Sequence, residues 1–283
     1  MEKTEADRLV RKLLEKHLPA EFGIAPYEAA LPLLPCAGQR RIPPGAASIL
    51  CGLFPYYTGA WPQRNISRYA MVTDYHQTAG SILEGCCQAL REQFPENRFE
   101  PFVDNSPIRE VAAARLAGLG VVGQHGLLIT PGYGCYTFIG EIVTDLVLCY
   151  DAPSEGECLN CGLCRRACPG GALEEGGRVQ KERCRSHITQ KKKALTPWEE
   201  EQIRQGGLCW GCDICADVCP MNPKPPRLTP VAEFLASAVP VWDEETACRL
   251  LDSRAFNYRG EAVIRRNLAL LSQGGPTETK EEG

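Results

Sequence analysis

Apolar positions along this chain recur with two different periods, and the switches between them outline a mixed helical and stranded protein. Residues 1–17 scatter charges around a stripe of Leu9, Val10, Leu13 and Leu14, the spacing of an amphipathic helix. Residues 46–54 (AASILCGLF) are continuously apolar, as expected of a buried strand. A helical pattern over 79–94 stops at Pro95, which cannot continue a hydrogen-bonded turn. Residues 97–103 read as a strand running into Asp104, and 108–116 as a helix ending at Gly118 and Gly120. Strand patterns follow at 127–130 and 137–148. Such interleaving implies an α/β or α+β layer domain over residues 1–150, with α+β the class expected for the whole chain.

Beyond residue 150 the pattern changes. Residues 151–224 are dominated by cysteine, and 220–230 (PMNPKPPRLTP) hold too much proline for regular structure, so they read as a spacer. A helical pattern returns over 244–271, and the polar stretch 274–283 reads as a frayed tail. Residues 225–283 are thus expected to be a linker and a short helical C-terminal segment. There is no repeat of solenoid period.

Composition narrows the class. With 283 residues, 44% hydrophobic and 23% charged, the chain has the make-up of an ordinary globular protein. A net charge of −4 and a pI near 5.7 supply no global attraction for nucleic acid. There is no apolar run of membrane-spanning length, and the charges near the N-terminus do not fit a secretory leader. A cytoplasmic protein is therefore expected, where clustered cysteines serve metals more often than disulfides.

Seven of the sixteen cysteines (Cys36, Cys51, Cys86, Cys87, Cys135, Cys149 and Cys248) are scattered and read as small buried hydrophobes. The other nine lie between Cys158 and Cys219. Eight of these form two runs with one spacing, C-x2-C-x2-C-x3-C-P: Cys158, Cys161, Cys164, Cys168 and Pro169, then Cys209, Cys212, Cys215, Cys219 and Pro220. Three thiolates at i, i+3 and i+6 wrap a loop around three corners of a [4Fe–4S] cubane, while the fourth points away to a neighbouring cluster. Proline then ends the turn. Zinc also takes four thiolates, but it rarely needs a third cysteine three residues on. The spacing therefore predicts two [4Fe–4S] clusters. Cluster one takes Cys158, Cys161, Cys164 and Cys219; cluster two takes Cys168, Cys212, Cys215 and either Cys209 or Cys184. Spacing alone favours Cys209.

The order of motifs elsewhere resembles the epoxyqueuosine reductase family. Its pieces are Ser67-Arg68-Tyr69-Ala70, Asp74-Tyr75-His76, Phe102-Val103-Asp104, Ala117-Gly118-Leu119-Gly120 with Gly123, Leu127-Leu128-Ile129, Phe138-Ile139-Gly140-Glu141, Gly211-Cys212-Asp213-Ile214-Cys215 and Cys219-Pro220-Met221-Asn222. The resemblance implies a nitroreductase-like α/β domain that holds base-off cobalamin, followed by a dicluster ferredoxin-like module. It implies that electrons from the clusters produce Co(I), which removes an epoxide oxygen from a modified tRNA base as water. An aspartic acid is the family's proton donor, carried over as Asp104, with Asp74 as a second polar residue of the site. Contacts to the corrinoid fall to Ser67, Tyr75, His76, Gly123 and Gly140. The family's Arg-Cys-x-Ser motif, here Arg183-Cys184-Arg185-Ser186, ranks Cys184 above Cys209 as the remaining cluster ligand. The implied partners are a flavodoxin or ferredoxin as electron donor and the anticodon loop of a tRNA, with the protein a monomer.

Gly118-x-Gly120-x-x-Gly123 follows a helix instead of a strand, so it fails the context of a dinucleotide loop and reads as backbone approaching a bulky cofactor. Gln124 stands where the family usually has lysine, which keeps open a corrinoid reductase of a small molecule, as in reductive dehalogenases. A non-catalytic electron-transfer or corrinoid-handling protein is the remaining alternative. Asp104 itself has a plain reading as the N-cap of the helix over 108–116. As an acid near neutral pH it would need burial to raise its pKa.

Overall fold

The apolar run at 46–54 becomes the centre of a four-stranded sheet in the computed structural model, which describes residues 2–273. The expected frayed tail at 274–283 lies outside the described residues. In chain order, helix α1 (Lys3–His17) precedes strands β1 (Phe22–Pro26) and β2 (Ser48–Pro55), helix α2 (Tyr75–Gln93) and strand β3 (Phe99–Val103). Helix α3 (Glu110–Leu116), a small hairpin of β4 (Val121–Val122) and β5 (Leu128–Ile129), and strand β6 (Thr137–Thr144) complete this part. The large sheet has the order β1-β2-β6-β3 with every neighbouring pair antiparallel, so the fold is α+β.

All eight residues of β2 are buried because helices cover both faces of the sheet. Strand alternation sends Leu50 and Phe54 to the side of α1 and α2, where they meet Val10, Leu14, Leu83 and Leu90. It sends Ile49, Cys51 and Leu53 to the opposite side, against Ala113 and Ala114 of α3. A strand loaded on both faces loses the polar alternation of a half-exposed one, which is why the run is unbroken.

Some boundaries differ from expectation. Helix α2 begins at Tyr75 instead of 79, because Asp74 caps it by accepting the His76 N–H at 2.9 Å. Strand β6 ends at Thr144, short of the expected 148. Strand β1 was not expected at all: it is five residues long and bounded by proline, and only pairing with β2 makes it a strand.

Past the sheet, short helices α4 (Leu163–Ala167) and α7 (Ile214–Asp217) each follow a Cys-x2-Cys pair, with α5 (Arg185–Thr189) and α6 (Pro197–Gly206) between them. Helix α6 opens with a capping box of Thr196 and Glu199. The expected helix over 244–271 is split. After α8 (Ala232–Ser237), α9 (Glu244–Leu250) and α10 (Glu261–Ser272) are separated by two tight turns ending at Gly260. This C-terminal part shares one core with the cysteine module and the loop after β2: Ile66, Met71, Trp210, Trp242, Phe256, Ile264 and Leu268 pack together. Trp210 and Phe256 stack with centroids 4.9 Å apart. The fully buried Asn267 donates its amide to the carbonyls of Thr189 (2.8 Å) and Cys209 (2.7 Å), tying α10 to the module. No helix among the described residues is long and apolar enough to cross a membrane.

Gly140, expected at the corrinoid, instead lies inside this architecture. A Cβ there would sit 2.7 Å from both Leu83 Cδ1 and Phe54 Cε2, at the interface of β6 with α2. Close packing of sheet on helix explains the glycine. Gly140→Ala is expected to overpack this interface and lower stability by about 1–3 kcal/mol, read by anaerobic urea denaturation.

Candidate functional site

The block cysteines fall into two groups. Cys158, Cys161, Cys164 and Cys219 line one small cavity, bringing the last residue of the second run against the first run. Cys215 has Cys212, Cys184 and Cys168 as its neighbours; burial first, and then those thiols, push it up to about 12. Cys212 is raised in the same way by burial, with Cys184 again facing it. Cys209 stands apart, fully buried in the apolar core beside Trp210, where burial pushes its thiol up to about 12. Tight loops aim these thiols. The Ala172 N–H donates to Cys168 Sγ at 3.3 Å, and Arg183 Nε holds the Gly170 carbonyl at 2.7 Å. All sixteen cysteines are free, and two groups of four thiols suit two cubanes.

A second constellation sits at the mouth of a cleft. His76 is bracketed: Nδ1 lies 2.7 Å from Asp74 Oδ1, and Nε2 lies 3.2 Å from Asp104 Oδ2. Tyr75 stacks on His76 (4.0 Å, 29°) and on Phe138 of β6 (4.0 Å, 6°), which fixes the imidazole between its two carboxylates. Asp104 and Asn105 adopt left-handed backbone, with φ of 49° and 20°, a conformation that non-glycine residues hold only under tertiary constraint.

The electrostatics differ from expectation. The Asp104 side chain is 59% exposed, and its hydrogen bond with His76 holds the carboxyl below its usual range. Reciprocally, the bonds to Asp104 and then Asp74 raise His76 above the ordinary histidine value. The proton of this assembly therefore rests on the imidazole in the ground state, not on a buried Asp104. Nor is Asp104 an N-cap: helix α3 is entered through Arg109, five residues later.

Asp74, Tyr75, His76 and Asp104 line a cleft of about 850 Å³ together with Tyr69, Gln77, Asn105, Gln190, Trp210, Phe256, Asn257 and Tyr258. Flat aromatic faces interspersed with amides suit a broad, amide-fringed macrocycle such as a corrin. Both His76 nitrogens are already engaged, so the imidazole is held for proton chemistry and not for metal ligation. Of the other expected cofactor contacts, neither Ser67 nor Gly123 lines this cleft. Ser67 is fully buried at the junction with the second cysteine run, its N–H donating to the Trp210 carbonyl at 2.9 Å. Gly123 has its space filled by the chain itself, since a Cβ would lie 2.4 Å from the His125 ring. Burial lowers His125 to about 4.

Two carboxyls were given no role by the sequence. Glu110 lines a neighbouring cavity of about 660 Å³ that also borders Asp104. Burial, and then the Asp104 charge, push Glu110 up to about 7. Glu141 is buried on β6, accepts Ser106 Oγ–H at 2.7 Å, and is pushed up to about 8 by burial. An acidic residue inside the apolar run 137–144 was the available signal.

Residues 157–222 match a family model described as "4Fe-4S double cluster binding domain", and residues 38–105 match "Epoxyqueuosine reductase QueG, DUF1730". The chain is 34% identical over 223 residues to the curated epoxyqueuosine reductase of Aliivibrio fischeri, covering 76% of this chain and 60% of that one. It is 38% identical over 201 residues to that of Synechocystis sp., covering 69% of each. A solved epoxyqueuosine reductase with an epoxyqueuosine-modified tRNA-Tyr stem loop shares the fold with TM-score 0.80 at 23% identity, over 95% of this chain and 82% of that one. The catabolic reductive dehalogenase NpRdhA gives 0.54 at 16% identity, over 95% of this chain and 37% of that one.

Glu110 provides a pH test. Its pKa rises on folding from 4.5 to about 7, so the folded state holds the extra proton within that window. Stability from this group is undiminished below pH ~4.5, falls as pH rises to about 7, and is level above that. Glu110→Gln is expected to gain about 1–2 kcal/mol on wild type between pH 5 and pH 8, after allowing for solvent screening, in paired anaerobic denaturation curves.

Proposed function

The chain belongs to the epoxyqueuosine reductase family, and from that we propose that it reduces epoxyqueuosine in tRNA to queuosine. Its cofactors are two [4Fe–4S] clusters and a cobalamin. When bound, cobalamin supplies a two-electron reducing centre, and the clusters supply electrons singly. The overall change takes two electrons and two protons, breaks both C–O bonds of the epoxide, forms a C=C bond and releases water.

The observation that carries this reading is the hydrogen-bonded Asp74–His76–Asp104 set on the wall of the aromatic cleft. In this reading His76 stores a proton and Asp104 passes it to the departing oxygen, while Asp74 fixes the ring. Glu110 adds a second carboxyl that titrates near neutrality beside Asp104. Tyr75 and Trp210, each packed against other rings, border the cleft and keep water from that side. The Bacillus subtilis epoxyqueuosine reductase has been solved with the loop of its catalytic aspartate swung out of the active site.

We assign Cys158, Cys161, Cys164 and Cys219 to cluster one, and Cys168, Cys184, Cys212 and Cys215 to cluster two. Residues 1–150 would hold cobalamin and substrate, 151–224 the clusters, and 225–283 the wall of the cleft and the tail. A tRNA anticodon stem loop is the macromolecular substrate, a flavodoxin or ferredoxin the electron donor, and the working form a monomer. The free thiols fit the reducing cytoplasm.

Anaerobic reconstitution with iron, sulfide and cobalamin, followed by an assay on epoxyqueuosine tRNA, tests the reading. Asp104→Asn is expected to lower turnover by about 10²–10⁴-fold with both clusters still reducible. Full turnover in that variant, or two clusters with no cobalamin uptake, would remove the assignment. Cys184→Ser should lose one cluster, whereas Cys209→Ser should keep both; the reverse result would transfer the ligand to Cys209.

A further inference from the structure

One buried thiol outside the two groups of four is not absorbed by this chemistry. Cys135 lies at 2% exposure just before β6, and its Sγ is clustered with Cys219 Sγ and a His125 ring nitrogen, all within 4.8 Å of one another. His125 and Cys219 are buried as well, at 6% and 8%. Cys219 is the proposed fourth ligand of cluster one, and a role for Cys135 at that cluster rests on this assignment.

The hydrogen bonds around the trio have a direction. The backbone N–H of Leu127 donates to His125 Nδ1 at 3.2 Å, so that nitrogen acts as an acceptor and carries no proton. The ring proton of the neutral imidazole is then on Nε2, which lies 3.5 Å from Cys135 Sγ. With His125 donating to its sulfur, the Cys135 S–H is left free to turn from the imidazole toward Cys219 Sγ, which lies within 4.8 Å. Asn222 holds the two loops in this register. Its Oδ1 accepts the Cys135 N–H at 2.9 Å, its Nδ2 donates to the Ala216 carbonyl at 2.6 Å, and its own N–H donates to the Cys219 carbonyl at 3.2 Å.

We propose that Leu127, His125 and Cys135 form a one-way hydrogen-bond relay onto the Cys219 sulfur, and that this relay raises the reduction potential of cluster one without ligating it. Reduction adds negative charge to the cluster and its thiolates. A donor aimed at one of those sulfurs stabilises the reduced state more than the oxidised one. Cys135 is thus a positioning residue for electron delivery, made a donor by His125 and held in place by Asn222.

The test is an EPR-monitored redox titration of the anaerobically reconstituted full chain, as wild type, Cys135→Ala and Cys135→Ser. In Cys135→Ala the reduced-to-oxidised ratio of cluster one at a fixed potential should fall about threefold to tenfold, tenfold being about 59 mV for a one-electron couple. Cys135→Ser keeps a donor and should lie between alanine and wild type, while cluster two stays put in both. Unchanged cluster one potentials would overturn the relay, and so would equal shifts in both clusters. Loss of about four irons from both variants would overturn it differently, by making Cys135 a ligand. Fewer than about eight irons in the wild-type chain would instead mark failure of the two-cluster reading on which the relay stands.

Discussion

Asp213 and Asp217 leave the second cysteine run and enter a partly buried charge network with Arg64 and Arg68 of the loop after β2, and the geometry of the cleft is referenced to that junction. Asp213 Oδ2 accepts from Arg64 Nη1 at 2.6 Å and from the Arg68 backbone N–H at 3.0 Å. Asp217 accepts from Arg64 Nη2 and Arg68 Nε, both at 3.2 Å, and from Tyr136 OH at 2.6 Å. The Arg68 guanidinium lies over the rings of Tyr57 and Tyr136. Burial pushes Asp213 up to about 6 while Arg64 opposes it, so the carboxylate depends on its partners. Such pairs add little net stability, but breaking one leaves an uncompensated charge, so they act as a register. This register aligns Cys212 and Cys215 with Tyr69 and Trp210 on the cleft wall.

The sheet distributes the chemistry through its alternation. Along β6, Phe138 faces α2 and supports the Tyr75–His76 stack. Three residues on, Glu141 faces the opposite side, where Ser106 donates to it from the loop that also carries Asp104. One strand thus braces the imidazole on one face and a protonated carboxyl on the other. The two titratable groups bordering Asp104 are shifted by different forces: His76 by hydrogen bonds to carboxylates, Glu110 by burial. The result is a raised imidazole and a raised carboxyl on the walls of two adjoining cavities.

How much the chain reveals before folding depends on the range of the interactions involved. The two cysteine runs were legible because cubane ligation is local, with three ligands in seven residues imposing a spacing no side-chain packing can imitate. Helix α1 was legible because its periodicity survives in the buried Val10 and Leu14, and strand β2 because its unbroken apolar run is buried on both faces. The Asp-Tyr-His and Phe-Val-Asp pieces drew attention to Asp74, His76 and Asp104 by resemblance, and those three side chains do meet.

The sequence by itself determined the two cysteine runs, the alternation of helices and strands, and the candidate acids. Tertiary structure decided the rest, because burial and charge pairing belong to no single segment. Spacing alone favoured Cys209, yet that thiol is sealed in hydrocarbon with Trp210, while Cys184 faces Cys168, Cys212 and Cys215 from a separate loop. An Asp104 acid would have needed burial to raise its pKa, but the hydrogen bond with a histidine 28 residues earlier lowers it instead. Gly123 and Gly140 were expected at the cofactor, and the chain's own His125, Leu83 and Phe54 fill the space a side chain would take there. A residue's chemistry is written in its type; its protonation state and its neighbours are set by parts of the chain that come near only when it folds.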